Sequence, residues 1–231
     1  MLKEFIDKFY LEKEKEKRGK ERIRFWVSEA GKCPRAIFFK FKKAPAQEVE
    51  PERIRIFDHG DFIHQMVLRP LFSLGLVRAV EVSIPPQEIV AGRADAILSI
   101  DGEPYVLDVK SISGRINFEK LEAIKDHIWQ LQLYLHYFKI KKGILLYLNK
   151  DTQELKEFLI DYDIKVVETL LDWFKKLKKK IKDNIVPIRL RDWPKSWQCK
   201  LCEFSEICNL AGEKEIPWEN LKVKIEQFSK K

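Results

Sequence analysis

A chain of 231 residues with 45% apolar and 12% aromatic residues can bury a sizeable core, which excludes an intrinsically disordered protein. Lys and Arg outnumber Asp and Glu by 44 to 36, giving a net charge of +8 and an isoelectric point near 9.1; this suits a polyanionic partner without telling DNA from RNA or a membrane surface. The charged N-terminal segment lacks the apolar stretch of a secretory leader, and no apolar run reaches the roughly 20 residues that span a bilayer. A cytoplasmic protein without membrane attachment is expected.

Residues 1–22 read as a charged helix. "CPRAIFFKFKKA" (33–44) begins another, with Pro34 at a helix-initiating position. Over 51–75, Ile54, Phe57, Phe62, Met66 and Leu68 recur at helical spacing. The texture then changes: 76–86, 87–100 and 103–112 are short, β-branched and punctuated by Pro and Gly, as strands are. Helical period returns over 117–140, where Leu121, Ile124, Ile128, Leu131, Leu135 and Phe138 form one stripe. Residues 142–149 and 155–162 read as two further strands, and 164–185 as a long amphipathic helix. Its "KKLKKKIK" run (175–182) is read as a solvated face rather than a binding stripe. The last 45 residues read as irregular. Strands in the middle flanked by helices imply a mixed α/β or α+β fold. A charged fraction of 35%, with five Asn and two Met, also fits a thermophilic source.

The most informative segment is "GRADAILSIDGEPYVLDVKS" (92–111). Asp101-Gly102 is a strong hairpin signal. A two-residue turn there puts Ile100 opposite Glu103 and Asp95 opposite Asp108, with Lys110 on the same face as Asp108. Two carboxylates about 5 Å apart at Cβ should repel unless a cation lies between them, and oxygen ligands suit Mg²⁺ or Mn²⁺. A four-residue loop would instead set Asp95 against Lys110 with Asp108 diagonal to it. The bland alternative is a surface hairpin with a salt bridge to Lys110.

Asp95 followed by Asp108-x-Lys110 on the next strand resembles the PD-(D/E)XK nuclease superfamily. Three further matches resemble its RecB-like branch. These are His64 in the upstream helix ("GDFIHQM"), the "DVK" element, and Gln130 and Tyr134 in "HIWQLQLY", four apart and so on one helix face.

Cys199, Cys202 and Cys208 form a C-x2-C-x5-C cluster, and Cys33 lies 166 positions before it. Disulfides are uncommon in a cytosolic protein. Zinc and iron–sulfur both take four thiolates, and the residues alone leave the choice between them open. The resemblance discriminates: RecB-like nucleases with an iron–sulfur clasp carry one cysteine before the core, typically in a Cys-Pro-Arg context, and three after it. Tying residue 33 to 199–208 would close a very long loop, where the constraint on the unfolded chain is greatest. Trp193, Trp197 and Phe204 would shield the cluster or simply pack the lobe.

From about residue 26 to 210 the chain resembles the CRISPR-associated RecB-like exonucleases, the fourth Cas family. The resemblance implies a restriction-endonuclease-like α/β core with a mixed central β-sheet flanked by helices. It implies three parts: a helical region (1–75) with Cys33 and His64, a nuclease core (76–185), and a C-terminal cluster lobe (186–231) clasped to the N-terminal region. The implied activity is a Mg²⁺- or Mn²⁺-dependent exodeoxyribonuclease acting on single-stranded DNA from the 5′ end, to which endonuclease activity could be added. Its setting would be CRISPR spacer acquisition, an antiviral defence, beside the integrase complex. His64, Asp95, Asp108 and the carbonyl of Val109 would hold the metal, Lys110 would orient water, and Gln130 and Tyr134 would position Lys110 or the DNA. Cys33, Cys199, Cys202 and Cys208 would hold a [4Fe–4S] rather than a [2Fe–2S] cluster. Asp108 stands where many relatives have Glu. The same chemistry would also serve a stand-alone AddB-like nuclease in repair, replication or a mobile element. A non-catalytic nucleic-acid-binding protein with a four-cysteine metal site is the remaining reading, and the intact His64, Asp95, Asp108 and Lys110 argue against it.

Overall fold

A computed structural model describes residues 1–19, 21–86, 88–114 and 116–229, of which 17–19 and 229 are described by their backbone alone. Lys20 of the first predicted helix, Gln87 of the second predicted strand, and Lys230 and Lys231 of the tail lie outside the described residues. In chain order the elements are α1 (Leu2–Gly19), β1 (Phe25–Trp26), a 3-10 turn (Val27–Glu29), α2 (Pro34–Phe41), α3 (Pro51–Ser73), β2 (Val77–Ser83), β3 (Val90–Ala91), β4 (Arg93–Ile100) and β5 (Glu103–Ile112). There follow α4 (Lys125–Phe138), β6 (Lys142–Asn149), β7 (Leu155–Asp161), α5 (Ile164–Lys182), β8 (Ile185–Val186), α6 (Trp197–Lys200), α7 (Ser205–Ala211), β9 (Ile216–Pro217) and α8 (Trp218–Ser229). They form two compact units, one from residues 24–30 and 52–170, the other from 1–23, 31–51 and 171–231. No helix among the described residues is long and apolar enough to cross a membrane.

The unit built on 52–170 carries a five-stranded sheet in the order β2-β4-β5-β6-β7. β5 and β6 run parallel, joined by the α4 crossover, and the other pairs are antiparallel, which makes the sheet mixed. The inner strands β4 and β5 are buried along most of their length, which is why "ADAIL" and "YVLDV" read as nearly unbroken apolar runs. On one face, Ile63, Val67 and Leu68 of α3 pack on Ala96, Leu98, Leu107, Val109, Ile144 and Leu148. Each buried Val, Leu or Ile among them contributes roughly 1.5–3 kcal/mol. On the other, α4 buries Leu131, Leu133 and Leu135, with Leu131 seated against Gly143 of β6.

The α3 helix forms where the spacing places it, whereas the helix after β5 starts later than the sequence reading has it. In α3 the stripe of Ile54, Phe57, Phe62, Met66 and Leu68 is not the buried face: Phe57, Phe62 and Met66 are exposed, while Ile63 and Val67 are buried beside Ile54 and Leu68. Two apolar rows run along this helix, and the one that reaches the sheet wins. The helix expected over 117–140 begins only at Lys125. The 117–124 backbone is held otherwise: Asn117 Oδ1 accepts from the Lys120 N–H, Lys156 donates to the carbonyls of Phe118 and Glu119, and the Ile124 N–H donates to Tyr147. Tertiary hydrogen bonds override the local period there.

In the other unit, Phe38 and Phe39 of α2 pack with Val186, Phe204, Ile207, Trp218 and Leu221. The tail expected to be irregular therefore contains α7 and α8. The period of α8 was present in the sequence, with Trp218 and Leu221 buried and Ile225 packed beside them. Residues 171–182 of α5 also belong to this unit; they bury Phe174 and Leu177 while Lys175, Lys176, Lys178 and Lys179 face solvent.

Candidate active site

The β4–β5 hairpin turns through Asp101 (φ 50°) and Gly102 (φ 83°), both left-handed, as a two-residue type I′ turn demands. Ile100 pairs with Glu103, and the register holds to Ala96 opposite Leu107, so Asp95 and Asp108 come next on adjacent strands. Both are buried, at 9% and 2% exposure. Asp95 Oδ2 accepts the Val109 N–H at 2.6 Å, and His64 Nδ1 of α3 stands 3.3 Å from Asp95 Oδ1. Lys110 Nζ lies 2.7 Å from Asp108 Oδ2. That contact is an ion pair without hydrogen-bond alignment, and the buried oxygen receives no aligned hydrogen bond among the described residues.

α4 supplies the third side. Gln130 Nε2 donates to Asp108 Oδ1 at 3.2 Å and to the Tyr134 hydroxyl at 3.3 Å, and that hydroxyl donates to the Arg93 carbonyl at 2.7 Å. Gly92 makes this approach possible: a Cβ there would meet Val27 at 2.4 Å and the Tyr134 ring at 3.1 Å. Burial, then the Asp108 carboxylate, push Asp95 up to about 6, against the pull of His64, the Val109 N–H and Lys110. Burial and the Asp108 charge likewise hold the Tyr134 hydroxyl well above the usual phenol range, so it acts as a neutral donor.

Two buried carboxylates beside an imidazole and a lysine, with one carboxylate oxygen lacking an aligned donor, form a donor set that fits a hard divalent cation. Residues 3–209 match the model of the PD-(D/E)XK nuclease superfamily. The chain belongs to that superfamily. CRISPR-associated exonuclease Cas4 of Saccharolobus solfataricus is 30% identical over 220 residues, spanning 90% of this chain and 98% of that protein. Among solved structures, SSO0001 superposes with a TM-score of 0.58 at 26% identity, covering 90% of this chain and 96% of that one. LHK-Exo in complex with dAMP gives 0.51 at 12% identity over 69% of this chain and 90% of that one, a likeness of fold alone.

In this PD-(D/E)XK chain every site residue expected from the sequence around the carboxylates lies in one unit; one set of contacts joins His64, Asp95 and the Val109 N–H, and another joins Asp108, Lys110, Gln130 and Tyr134. One further residue was missed. Among the described residues, one set of three metal-capable side chains has ligand atoms within 4.8 Å of one another: His64, Asp95 and Glu81. Glu81 sits in β2 at φ 52°, between the Val80–Ala96 and Val82–Ala94 pairs, and its carboxylate pairs with Arg93. The available signal was a lone acid in "AVEVS", on a strand antiparallel to the one that carries Asp95.

The four cysteines gather in the other unit. With Arg35 and Trp193 among others, they line one small cavity of about 20 Å³. Gln198 links the two halves, its Oε1 accepting the Cys33 N–H at 2.7 Å while its Nε2 donates to the Gly31 carbonyl. Burial pushes the thiols of Cys33, Cys199 and Cys202 up, so without a metal they remain protonated. Phe204 is buried against Phe39 and also lines the cavity, whereas Trp197 is exposed beneath Lys32.

Proposed function

We propose that this chain is a Mg²⁺- or Mn²⁺-dependent exodeoxyribonuclease that degrades single-stranded DNA from the 5′ end in CRISPR spacer acquisition, beside the integrase complex. The observation that carries the reading is the buried Asp95–Asp108 pair with Lys110 and His64 beside it. His64, Asp95, Asp108 and the Val109 carbonyl would hold the cation, and the imidazole makes Mn²⁺ a comfortable occupant. A divalent cation there supplies Lewis-acid charge to a phosphate and lowers the pKa of water. Lys110 orients the attacking water and stabilises charge developing on the phosphate oxygens. Gln130 fixes the Asp108 carboxylate through its Nε2–H, and Tyr134 anchors Gln130 to the β4 backbone. The excess of Lys and Arg gives a salt-sensitive attraction to any DNA sequence. The CRISPR setting is favoured over repair or a mobile element by the Cas4 relative, which matches nearly end to end.

Cys33, Cys199, Cys202 and Cys208 are read as ligands of a [4Fe–4S] cluster. One tetrahedral zinc, with Zn–S near 2.3 Å, needs its four sulfurs about 3.8 Å apart. Although the four thiols line one cavity, no three of them form a set with ligand atoms within 4.8 Å among the described residues, and that spread suits a polynuclear cluster. An end-labelled single-stranded DNA digest with and without Mn²⁺ tests the nuclease reading. Metal-dependent release of the 5′ label as short products is expected. Cleavage that proceeds equally in chelator would overturn it.

A further inference from the structure

Arg35 is fully buried two residues after Cys33, and all of its N–H groups are engaged. Nε donates to the Pro187 carbonyl at 2.7 Å. Nη1 donates to the carbonyls of Gly212 at 2.6 Å and Cys208 at 3.3 Å, with Cys208 Sγ at 3.5 Å. Nη2 donates to the carbonyls of Lys214 at 3.0 Å and Glu213 at 3.3 Å. Among the described residues no carboxylate pairs with it. Removing a cation from water costs several kcal/mol unless a counter-charge is near. The ring of carbonyls solvates the guanidinium but leaves its unit charge unbalanced. Among the described residues, the one contacting group able to carry a full negative charge is the Cys208 sulfur.

Arg189 is the informative contrast. It lines the same cavity, but its Nη2 pairs with the Glu213 carboxylate at 3.1 Å and its guanidinium stacks on Trp193 at 3.9 Å. A carboxylate meets its charge, although the guanidinium also acts on the Cys199 sulfur. Arg35 differs in a second respect: the carbonyls it gathers come from 187 and 208–214, while its own backbone lies in the first turn of α2, directly after Cys33. The side chain is therefore the hub that joins the remote cysteine to the segment carrying Cys208.

We infer that Arg35 is the positioning residue of the cysteine site, supplying counter-charge and a sulfur hydrogen bond to the ligated Cys208 thiolate while it holds Cys33 in register. Four thiolates leave an oxidised [4Fe–4S] centre net negative, which is what a buried, carboxylate-free guanidinium complements. The inference rests on the iron–sulfur reading above. A hydrogen bond and a positive charge at a ligating sulfur both raise a cluster's reduction potential.

The test uses the full-length chain, reconstituted with iron and sulfide without oxygen, beside Arg35→Lys, Arg35→Gln and Arg189→Gln. Iron and sulfide per chain, reduction potential, release to a chelator, and melting of metal-free and loaded forms are measured. Arg189→Gln, which removes a charge that Glu213 already pairs, should move the potential less than either Arg35 variant. Arg35→Lys keeps the charge but cannot span the carbonyl ring, so it should hold the cluster at lower potential and lose it about tenfold faster. Arg35→Gln should lie lower still in potential, or lose the iron; if it does not fold, the lysine variant carries the test. Arg35 variants with wild-type potential and chelator resistance, or with loaded and metal-free forms destabilised equally, would make the residue a structural strut and overturn the inference. A wild-type chain that takes up zinc and no sulfide would instead overturn the cluster reading, and the inference with it.

Discussion

The carboxylate site and the cysteine site are assembled in opposite ways. Asp95, Asp108 and Lys110 come from one hairpin, and their meeting follows from a two-residue turn and the two-residue period of a strand. Cys33 meets Cys199, Cys202 and Cys208 across more than 160 residues, through Arg35 and Gln198 contacts that no local pattern foretells. The first site is assembled by the strands themselves, which already remove its carboxylates from water. The second is protonated without its metal, because burial raises three of the four thiols. On the proposed reading, a site for chemistry is preorganised on strands, whereas a site for architecture draws its stability from what it binds.

Several substitutions would break or sharpen that contrast. A large loss of cleavage with the metal still bound is expected at Lys110. Lys110→Ala should lower single-stranded DNA cleavage by about 10²–10³-fold while calorimetric Mn²⁺ binding stays intact, since the role proposed for the lysine is on water and phosphate. Loss of Mn²⁺ binding in step with activity would assign it a structural role instead.

Cys208→Ala should do the reverse. Cluster content falls to near zero and the iron-loaded chain loses several kcal/mol, roughly 10 °C in melting temperature, with Mn²⁺ affinity unchanged. A variant that melts with the wild type would deny the cysteines their stabilising role.

The next effect concerns pH. Asp95 has a folded-state pKa near 6 against 3.8 ordinarily, so the folded chain holds its proton more tightly than the unfolded one. Its contribution therefore turns unfavourable as pH rises from about 4 to 6, and above that the metal-free chain carries the full penalty, up to about 3 kcal/mol. Asp95→Asn should raise the metal-free melting temperature at pH 7.5, leave it nearly unchanged at pH 4, and abolish metal-dependent cleavage. No gain at pH 7.5 would mean that the carboxylate is not strained by its neighbours.

Tyr134→Phe should be the mildest. It removes the hydroxyl between Gln130 and the Arg93 carbonyl, at a cost of about 1 kcal/mol in stability and less than a tenfold loss of activity. A hundredfold loss would place the hydroxyl on the substrate.

Much of this was legible beforehand, and unevenly. Asp101-Gly102 determined the register, and the register determined which acids face each other, so the hairpin needed no tertiary information. Gln130 and Tyr134 are named by the family resemblance, and their four-residue spacing puts both on one face of α4, where they meet. Glu81 escaped because its place depends on β2 pairing with β4 and on a left-handed backbone in mid-strand. Spacing alone leaves the buried row of α3 open, because Phe57, Phe62 and Met66 satisfy the helical period as well as Ile63 and Val67 do, and the sheet alone chooses between them. The start of α4 was misplaced because Lys156 and Tyr147, from strands later in the chain, claim the backbone of 117–124.

The most direct test of the whole account pairs two readings on Asp108→Asn: Mn²⁺-dependent degradation of end-labelled single-stranded DNA, and iron content of the same preparation. The hairpin site is predicted to fall silent, with cleavage down at least about 10³-fold, while the cysteine site keeps its wild-type iron. Undiminished cleavage by that variant would contradict the assignment of the cutting centre to Asp95, Asp108 and Lys110.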